Sequence, residues 1–413
     1  MRLLHTSDWH LGQSFHEHDR QAEHQAFLDG LLHCLAQEQP DALLIAGDLY
    51  DSSNPPASAQ HQFHRFLIAA RAALPRLRIV LIAGNHDAPG RLDAMAPLLQ
   101  LLDATVIGQV PRQPDQSPDL DRMLLPLPGP DGAIAAWCLA LPFLRPADVP
   151  RCPDAADPYQ AGIVALYRQL QERALARRQP GQALIAMGHC HMQHGEVSQD
   201  SERPLVIGGA EALPASLFGP ELAYVALGHL HRAQQVGGQS RLRYSGSPLP
   251  LSFAEIDYPH QLLRIDLDGE QLREVRSLPV ARPVPLLRVP SRPAPLPQVE
   301  AELAALQLPE DGPPPYLEVR VRLDAPEPDL RRRIETALGD RRVRLARIEV
   351  SRSARSEDLE LPGYSLDELA RLAPEQVFAR LCQEKIGPDT PERPGLVAEL
   401  EQAFRELGQA ESP

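Results

Sequence analysis

Five apolar runs in this chain stop in the same way. "LLHTSDWH" delivers Asp8 and His10, "ALLIAGDLYD" delivers Asp48 and Asp51, and "IVLIAGNHD" delivers Asn85, His86 and Asp87. "LIAMGHCH" delivers His189, and "YVALGHLH" delivers His229 and His231. Four of the five place a glycine directly before the first polar residue, where the missing side chain lets the backbone turn tightly at a strand end. Helix-like segments such as "EHQAFLDGLLHCLAQEQ" and "ASAQHQFHRFLIAARAAL" lie between them. Short β-rich runs alternating with amphipathic helices specify an α/β layered domain, whose strand-end loops gather on one edge where ligands bind. Polar clusters from five distant positions are therefore expected to converge.

At 413 residues the chain is too long for one ordinary core, so two or three domains are expected. A large α/β domain over 1–278 is followed by clustered prolines at 281–315, a junction signal. Next come "YLEVRVRL", "EPDLRRRIETALG" and "RRVRLARIEV", a strand, a helix and a strand that mark a small α/β unit over 279–355. Two amphipathic helices, "SLDELARLAPEQVFARLCQEKIG" and "PGLVAELEQAFRELGQ", fill 356–413 and either fold back on the chain or, the favoured reading, dock on a partner. The stretch from Gln109 to Gly132, rich in Pro, Asp and Gln, reads as a surface excursion.

The formal charge of −14 argues against wrapping nucleic acid with the whole surface. Yet Glu357 to Pro413 carries thirteen acidic against five basic residues, whereas Arg320 to Arg355 carries eleven arginines against six acids. A local basic surface survives, and Arg331, Arg332, Arg341 and Arg342 read either as a solvated face or as candidate nucleic-acid (DNA) contacts. The lone lysine, Lys385 in "CQEKIG", is not in a phosphate-loop context, so an ATP-driven function needs a partner to bind the nucleotide. No run approaches the roughly 18 apolar residues of a membrane span and the first residues lack a signal-peptide core, so a cytoplasmic location is expected. Five scattered cysteines without CxxC spacing read as reduced thiols.

Asp8, His10, Asp48, Asn85, His189, His229 and His231 make seven candidate ligands, too many for one ion. Carboxylates, imidazoles and an amide oxygen without cysteine suit Mn²⁺, Fe²⁺ or Zn²⁺. With Asp48 shared they divide into two four-ligand sets, and two ions about 3.5–4 Å apart can clamp both oxygens of an in-line phosphoryl displacement. His16, His18, His24, His33, His61, His64 and His260 read as ordinary surface or core histidines, His191 and His194 as loop residues, and His5 as packing.

The set D-x-H, GD-x-x-D, GNHD, GH and GH-x-H resembles the calcineurin-like metallophosphoesterase superfamily. "HTSDWHLG", "GDLYDSSNPP", "AGNHD", "GHLHRAQ" and "YSGSPLPLSF" are similar, more closely, to the SbcD family of nuclease subunits, densely over 1–265. The resemblance implies an α/β fold: a two-layer β-sandwich flanked by helices, then a small α/β capping domain facing DNA and C-terminal helices. It implies two divalent ions, Mn²⁺, with Asp8, His10, Asp48 and His231 on one and Asp48, Asn85, His189 and His229 on the other. His86 would stabilise or protonate the leaving oxygen, and Asp51 is the candidate to orient His86; some archaeal relatives carry histidine at that place. The implied activity is 3′ to 5′ exonuclease action on duplex DNA and endonuclease cutting of single strands or hairpins. The implied partners are DNA, the SbcC ATPase through the C-terminal helices, and a second copy through "QFHRFLIAARAAL", giving a heterotetramer. A small-molecule or phosphoprotein phosphoesterase would keep all seven ligands but leaves the arginine-rich unit and tail helices unexplained. A DNA-end scaffold would show missing ligands, and none is missing.

Overall fold

Runs such as Ala42–Ala46 are buried at every residue, the pattern of strands covered on both faces. The computed structural model describes residues 1–193, 195–198, 212–308 and 311–352, with Leu400, Gln402 and Phe404. It divides into one unit from Met1 to Arg352 and another from Ser353 to Pro413. The two expected C-terminal helices, and His194, lie outside the described residues apart from those three positions.

The chain opens with β1 (Arg2–Thr6), β2 (Ser14–Phe15), β3 (His18–Asp19), α1 (Gln21–Glu38), β4 (Ala42–Ala46), α2 (Ala57–Ala73) and β5 (Arg78–Ile82). Then come α3 (Pro89–Gln100), β6 (Ala104–Ile107), α4 (Leu120–Met123), β7 (Leu124–Pro128), β8 (Ile134–Ala140), α5 (Pro158–Arg177) and β9 (Ala183–His189). β10 (Tyr224–Gly228), β11 (Gln234–Val236), β12 (Gln239–Tyr244), β13 (Gln261–Asp268) and β14 (Gln271–Pro279) follow. A last group comprises β15 (Leu286–Pro295), α6 (Leu296–Ala304), β16 (Tyr316–Leu323), α7 (Leu330–Leu338) and β17 (Arg344–Arg352).

Two six-stranded sheets face each other, ordered β14-β13-β1-β4-β5-β6 and β11-β12-β10-β9-β8-β7. Leu3, Leu44, Ala46, Val80 and Ile82 of the first meet Cys138, Ile185, Met187 and Leu227 of the second in one buried core. Helices α1, α2 and α3 cover the first sheet through Phe27, Leu31, Phe63, Phe66 and Leu92. Helix α5 covers the second through Leu166, Tyr167 and Leu170. This is the helix-flanked two-layer sandwich expected from the sequence, and the register explains its functional edge. Parallel pairing aligns Leu3 with Ala42 and Ala46 with Ile82, so β1, β4 and β5 end at one level. In the second sheet Gly228 lies beside His189.

β15, β16 and β17 form a parallel three-stranded sheet with α6 and α7, packed around Val299, Leu303, Leu317, Val319 and Ile334. Two proline-rich stretches expected to be irregular are strands instead. β15 and β7 are both edge strands, where a proline's missing N–H leaves no ladder bond unmade. The small sheet meets the sandwich through Phe15, Phe253, Leu286 and Tyr316. Beside that patch the buried Arg20–Glu23 pair receives the Tyr316 hydroxyl at 2.7 Å. No described helix is long and apolar enough to cross a membrane.

Candidate metal centre

The loops beyond β1 and β4 continue the strand pairing: Asp8 N–H donates to the Gly47 carbonyl at 3.0 Å and His10 N–H to the Asp48 carbonyl at 3.1 Å. That continuation requires unusual backbone. Asp8, His10 and Asp48 have φ of 54°, 45° and 48°, and His229 has 105°. Such conformations cost about 1–3 kcal/mol each and persist only where the surroundings over-determine them. Strain is thus concentrated on four of the seven candidate ligands.

The glycines before these residues act mainly by leaving space. A Cβ at Gly228 would lie 1.9 Å from the Ala46 carbonyl oxygen, and one at Gly84 2.3 Å from the Asp48 nitrogen. Neither of these two has positive φ, so close approach replaces the turning role expected of them, whereas Gly47, with φ of 91°, keeps that role before Asp48. Strand ends from the two sheets are thereby brought into contact.

Asp8, His10 and His231 offer ligand atoms within 4.8 Å of one another, as do Asp8, Asp48 and His189, and His10, Asp48 and His86. Asn85 joins them: its Oδ1 lies 3.0 Å from His189 Nε2 and 3.1 Å from His229 Nδ1. All seven candidate ligands therefore lie in one cluster, and all but Asn85 are buried.

The direction of the imidazoles fits cations. His189 donates Nδ1–H to the Ala46 carbonyl at 2.9 Å, which turns Nε2 toward Asn85 Oδ1 at 3.0 Å and Asp48 Oδ2 at 3.4 Å. In the neutral ring that nitrogen is an acceptor facing acceptors, an arrangement that needs a proton or a metal ion between them. His10 places Nδ1 on Asp51 Oδ1 at 3.2 Å, and its buried Nε2, 3.6 Å from Asp48 Oδ2, has no hydrogen-bond partner. His231 places Nδ1 on Glu255 Oε1 at 2.9 Å. The donor set suits divalent first-row ions.

The carboxylates respond to two opposed influences. Burial raises Asp8 above its ordinary value despite His189, His231 and His10 nearby. Burial pushes Asp48 the same way, but the charges and hydrogen bond of His189, with His10 and His86, hold it far below. His189 is raised to about 9, the Asp48 carboxylate overcoming the opposing effect of burial. His229, buried beside His189, is held well below the usual imidazole range.

Residues 1–233 match the family model described as calcineurin-like phosphoesterase, and residues 282–385 match one described as type 5 capsule protein repressor C-terminal domain. The chain is 42% identical over 388 residues to a Rhodobacter capsulatus protein named as the SbcD component of nuclease SbcCD, covering 92% of this chain and 94% of that protein. The protein of the same name from Escherichia coli K12 is 33% identical over 404 residues, covering 95% and 96%. The chain belongs to the SbcD family of calcineurin-like phosphoesterases. A Bacillus subtilis protein of that name is 36% identical over 273 residues, 64% of this chain and 66% of its own length.

Other residues singled out in the sequence lie around the cluster. His86 is half-buried, its ring 4.8 Å from that of His10, and its N–H donates to Asp48 Oδ1 at 2.9 Å. Its Nδ1 donates to the main-chain carbonyl of Asp51 at 2.7 Å, whereas the Asp51 carboxylate bonds His10. Asp51 thus serves His86 with its backbone and His10 with its side chain, which differs from the expected carboxylate–His86 pair. Asp87 is no ligand of the cluster: it accepts from Gly84, Leu49 and Tyr50 backbone N–H groups and ties two loops together. His5 is buried packing, bonded to Tyr224 and the Leu227 carbonyl.

Two site residues, Glu255 and Ser7, were not anticipated from the sequence. Ser7 donates to Asp8 Oδ2 at 2.5 Å while the His229 N–H reaches both Asp8 oxygens at 3.0 and 3.2 Å. Ser7 abuts the Asp8 motif and was findable by adjacency. Glu255 lies 24 residues from His231 at the end of a single 3₁₀ turn, Phe253–Glu255, too short to carry a periodic signal.

Among the candidate DNA contacts, Arg331 and Arg332 are exposed and pair locally with Glu335 and Asp329. Arg342 reaches the Gly312 carbonyl at 3.3 Å. Arg341 is differently engaged: its guanidinium donates to the Ala304 and Leu338 carbonyls, capping the ends of α6 and α7. Arg331, Arg332 and Arg342 are thus the exposed members of the set, and Arg341 is partly buried.

Proposed function

We propose that this chain is the nuclease subunit of an ATP-driven SbcC–SbcD complex, hydrolysing DNA phosphodiester bonds with two divalent ions, Mn²⁺. The chain is a metal-dependent phosphodiester hydrolase, and the observation that carries the reading is the convergence of Asp8, His10, Asp48, Asn85, His189, His229 and His231 on one edge. Asp8, His10, Asp48 and His231 hold one ion; Asp48, Asn85, His189 and His229 hold the other. Bound there, the ions supply positive charge that polarises the phosphoryl group and activates water.

The chain's own groups do the rest. His86 delivers a proton to the leaving oxygen from Nε2, because Nδ1 is committed to the Asp51 carbonyl. Asp51 fixes His10 as well, so one residue positions both rings. The reading extends to 3′ to 5′ exonuclease action on duplexes and endonuclease cutting of single strands and hairpins, in the cytoplasm. Residues 1–278 form the nuclease domain, 279–355 a DNA-facing cap and 356–413 the SbcC-binding segment. Phe63, Phe66 and Leu67 of α2 are buried in the chain's own core, but Ile68 is exposed, as are Leu98 of α3 and Leu101 just after it, and Ile68 offers a surface for a second copy.

The test compares nucleotide release from 3′-labelled duplex DNA with phosphate release from a simple phosphomonoester, in Mn²⁺, against His86→Ala and an EDTA control. Release from DNA alone, lost with His86→Ala, supports the reading. Monoester turnover without DNA cleavage replaces it with a small-molecule phosphoesterase.

A further inference from the structure

Four histidines enter the cluster, but their outer nitrogens are not held alike. His231 Nδ1 rests on the Glu255 carboxylate at 2.9 Å and His10 Nδ1 on the Asp51 carboxylate at 3.2 Å. His189 Nδ1 rests instead on a neutral carbonyl, that of Ala46, while the His229 ring turns Nδ1 inward to the Asn85 amide oxygen that His189 Nε2 also faces. The division follows the two ligand sets assigned above, on which this inference rests. Both carboxylate-backed rings belong to the set with Asp8 and Asp48.

We propose that Glu255 is a positioning residue for His231 and that, with Asp51 behind His10, it makes the Asp8–His10–Asp48–His231 site the tighter of the two ion sites. A carboxylate accepting the Nδ1 proton fixes the tautomer, directs the Nε2 lone pair inward and makes the ring a stronger donor. A neutral carbonyl does the first two but adds less to donor strength.

Glu255 is built for that task. Its side chain is fully buried, with Oε2 accepting the Leu251 N–H at 2.8 Å and lying 3.4 Å from Ser247 Oγ. The turn that carries it is closed on both sides: Ser252 Oγ accepts the Ala254 N–H at 3.2 Å, and Glu255 N–H returns to the Ser252 carbonyl at 3.2 Å. Arg288, from the three-stranded sheet, donates to the Phe253 carbonyl at 2.7 Å and fixes the turn from outside. A buried carboxylate so restrained presents one oxygen in one direction, toward His231.

The experiment titrates Mn²⁺ into the EDTA-stripped full chain by calorimetry, with bound Mn²⁺ followed independently by electron paramagnetic resonance. Two classes of site are expected in the wild type. Glu255→Gln, which keeps size and shape, should weaken the tighter class by about 10–100-fold and leave the weaker class unchanged. Asn85→Ala should do the reverse. Asp51→Asn, at a partly exposed side chain, should weaken the same tight class and decides the matter if Glu255→Gln does not fold. Wild-type binding of fewer than two ions would overturn the two-ion reading itself. Two wild-type classes with the tight one unmoved by Glu255→Gln, or by Asp51→Asn in its stead, would overturn only this inference, as would equal weakening of both.

Discussion

In the sandwich, Asp8, His10, Asp48, His189, His229 and His231 are buried at or just beyond strand ends, four of them on strained backbone, and are bonded to one another, to backbone and to the Asp51 and Glu255 carboxylates. On α7 beside the three-stranded sheet, the Arg331 and Arg332 side chains stand 72% and 75% exposed and pair with Glu335 of that helix and Asp329 just before it. Both regions carry dense charge, but only the first removes it from water. Buried charges depend on each partner, whereas exposed pairs are worth about 0–1 kcal/mol and are screened by salt. Substitutions should therefore act through chemistry and folding at the sandwich edge and through long-range attraction at the small sheet.

The largest contrast should come from His86→Ala. Loss of a positioned proton donor is expected to lower kcat by about 10²–10⁴-fold while Mn²⁺ binding is retained. Asp48→Ala, which removes the shared ligand, should abolish binding of both ions. A His86 variant that lost its ions as well would place His86 among the ligands instead.

Gly228→Ala follows, and it attacks folding. Its Cβ would meet the Ala46 carbonyl, a backbone atom that cannot swing aside. Overpacking of this kind costs about 1–3 kcal/mol, occasionally more, to be read as a lower urea midpoint with an unchanged m-value. Wild-type stability would mean that the sheets separate readily at this edge.

Acid should also distinguish the regions. Burial holds His5 and His24 at about 3, and His24 has no hydrogen-bond partner on either ring nitrogen. Both folded values lie below the ordinary 6.5, so as pH falls the unfolded chain takes up these protons first. Stability of the EDTA-stripped protein should decline from about pH 6.5 toward 3, by at most about 1.4 kcal/mol per pH unit for each histidine. Denaturation midpoints at pH 7.5 and 5 test this, and His24→Phe should flatten the slope. Because His189, raised to about 9, adds stability as pH falls over the upper part of that range, the comparison with His24→Phe decides: an unchanged slope in the variant would show that the His24 ring is not sequestered.

Much of this was legible in the sequence, for a physical reason. Strand ends that must carry ligands toward one point leave apolar runs followed by fixed polar residues, so the seven candidate ligands and the layered fold could be read together. What escaped depends on contacts between distant segments. Glu255 reaches His231 from a single 3₁₀ turn, and no spacing rule points to it. The strand character of Leu286–Pro295 was hidden by prolines that only an edge position tolerates. Arg341 resembled its neighbours in charge but not in surroundings, because helix-end carbonyls from two elements converge on it.

The junction between the regions should show an intermediate effect. Tyr316→Phe removes the hydroxyl that donates to Glu23 at 2.7 Å and accepts from Arg344 at 2.9 Å. Glu23 keeps its paired Arg20, so the loss should be about 1 kcal/mol, the ordinary net value of one hydrogen bond. Differential scanning calorimetry would read it, and a loss several times larger would make the junction as exacting as the metal centre.

The smallest effect on folding belongs to the pair Arg331→Ala with Arg332→Ala. Their partners are exposed and lie within one helical turn, so stability should change by no more than about 0.5 kcal/mol. DNA binding is where they should register. Each phosphate no longer neutralised lowers the steepness of log K against log salt by about 0.9, so the double variant should flatten that slope by about 2 for duplex DNA of any sequence. Arg341→Ala should invert the pattern: it strands the carbonyls of Ala304 and Leu338, lowering stability while the salt slope stays put. If the double variant instead leaves the slope unchanged and Arg341→Ala flattens it, the exposed arginines are solvated charge and the DNA path runs along the helix ends.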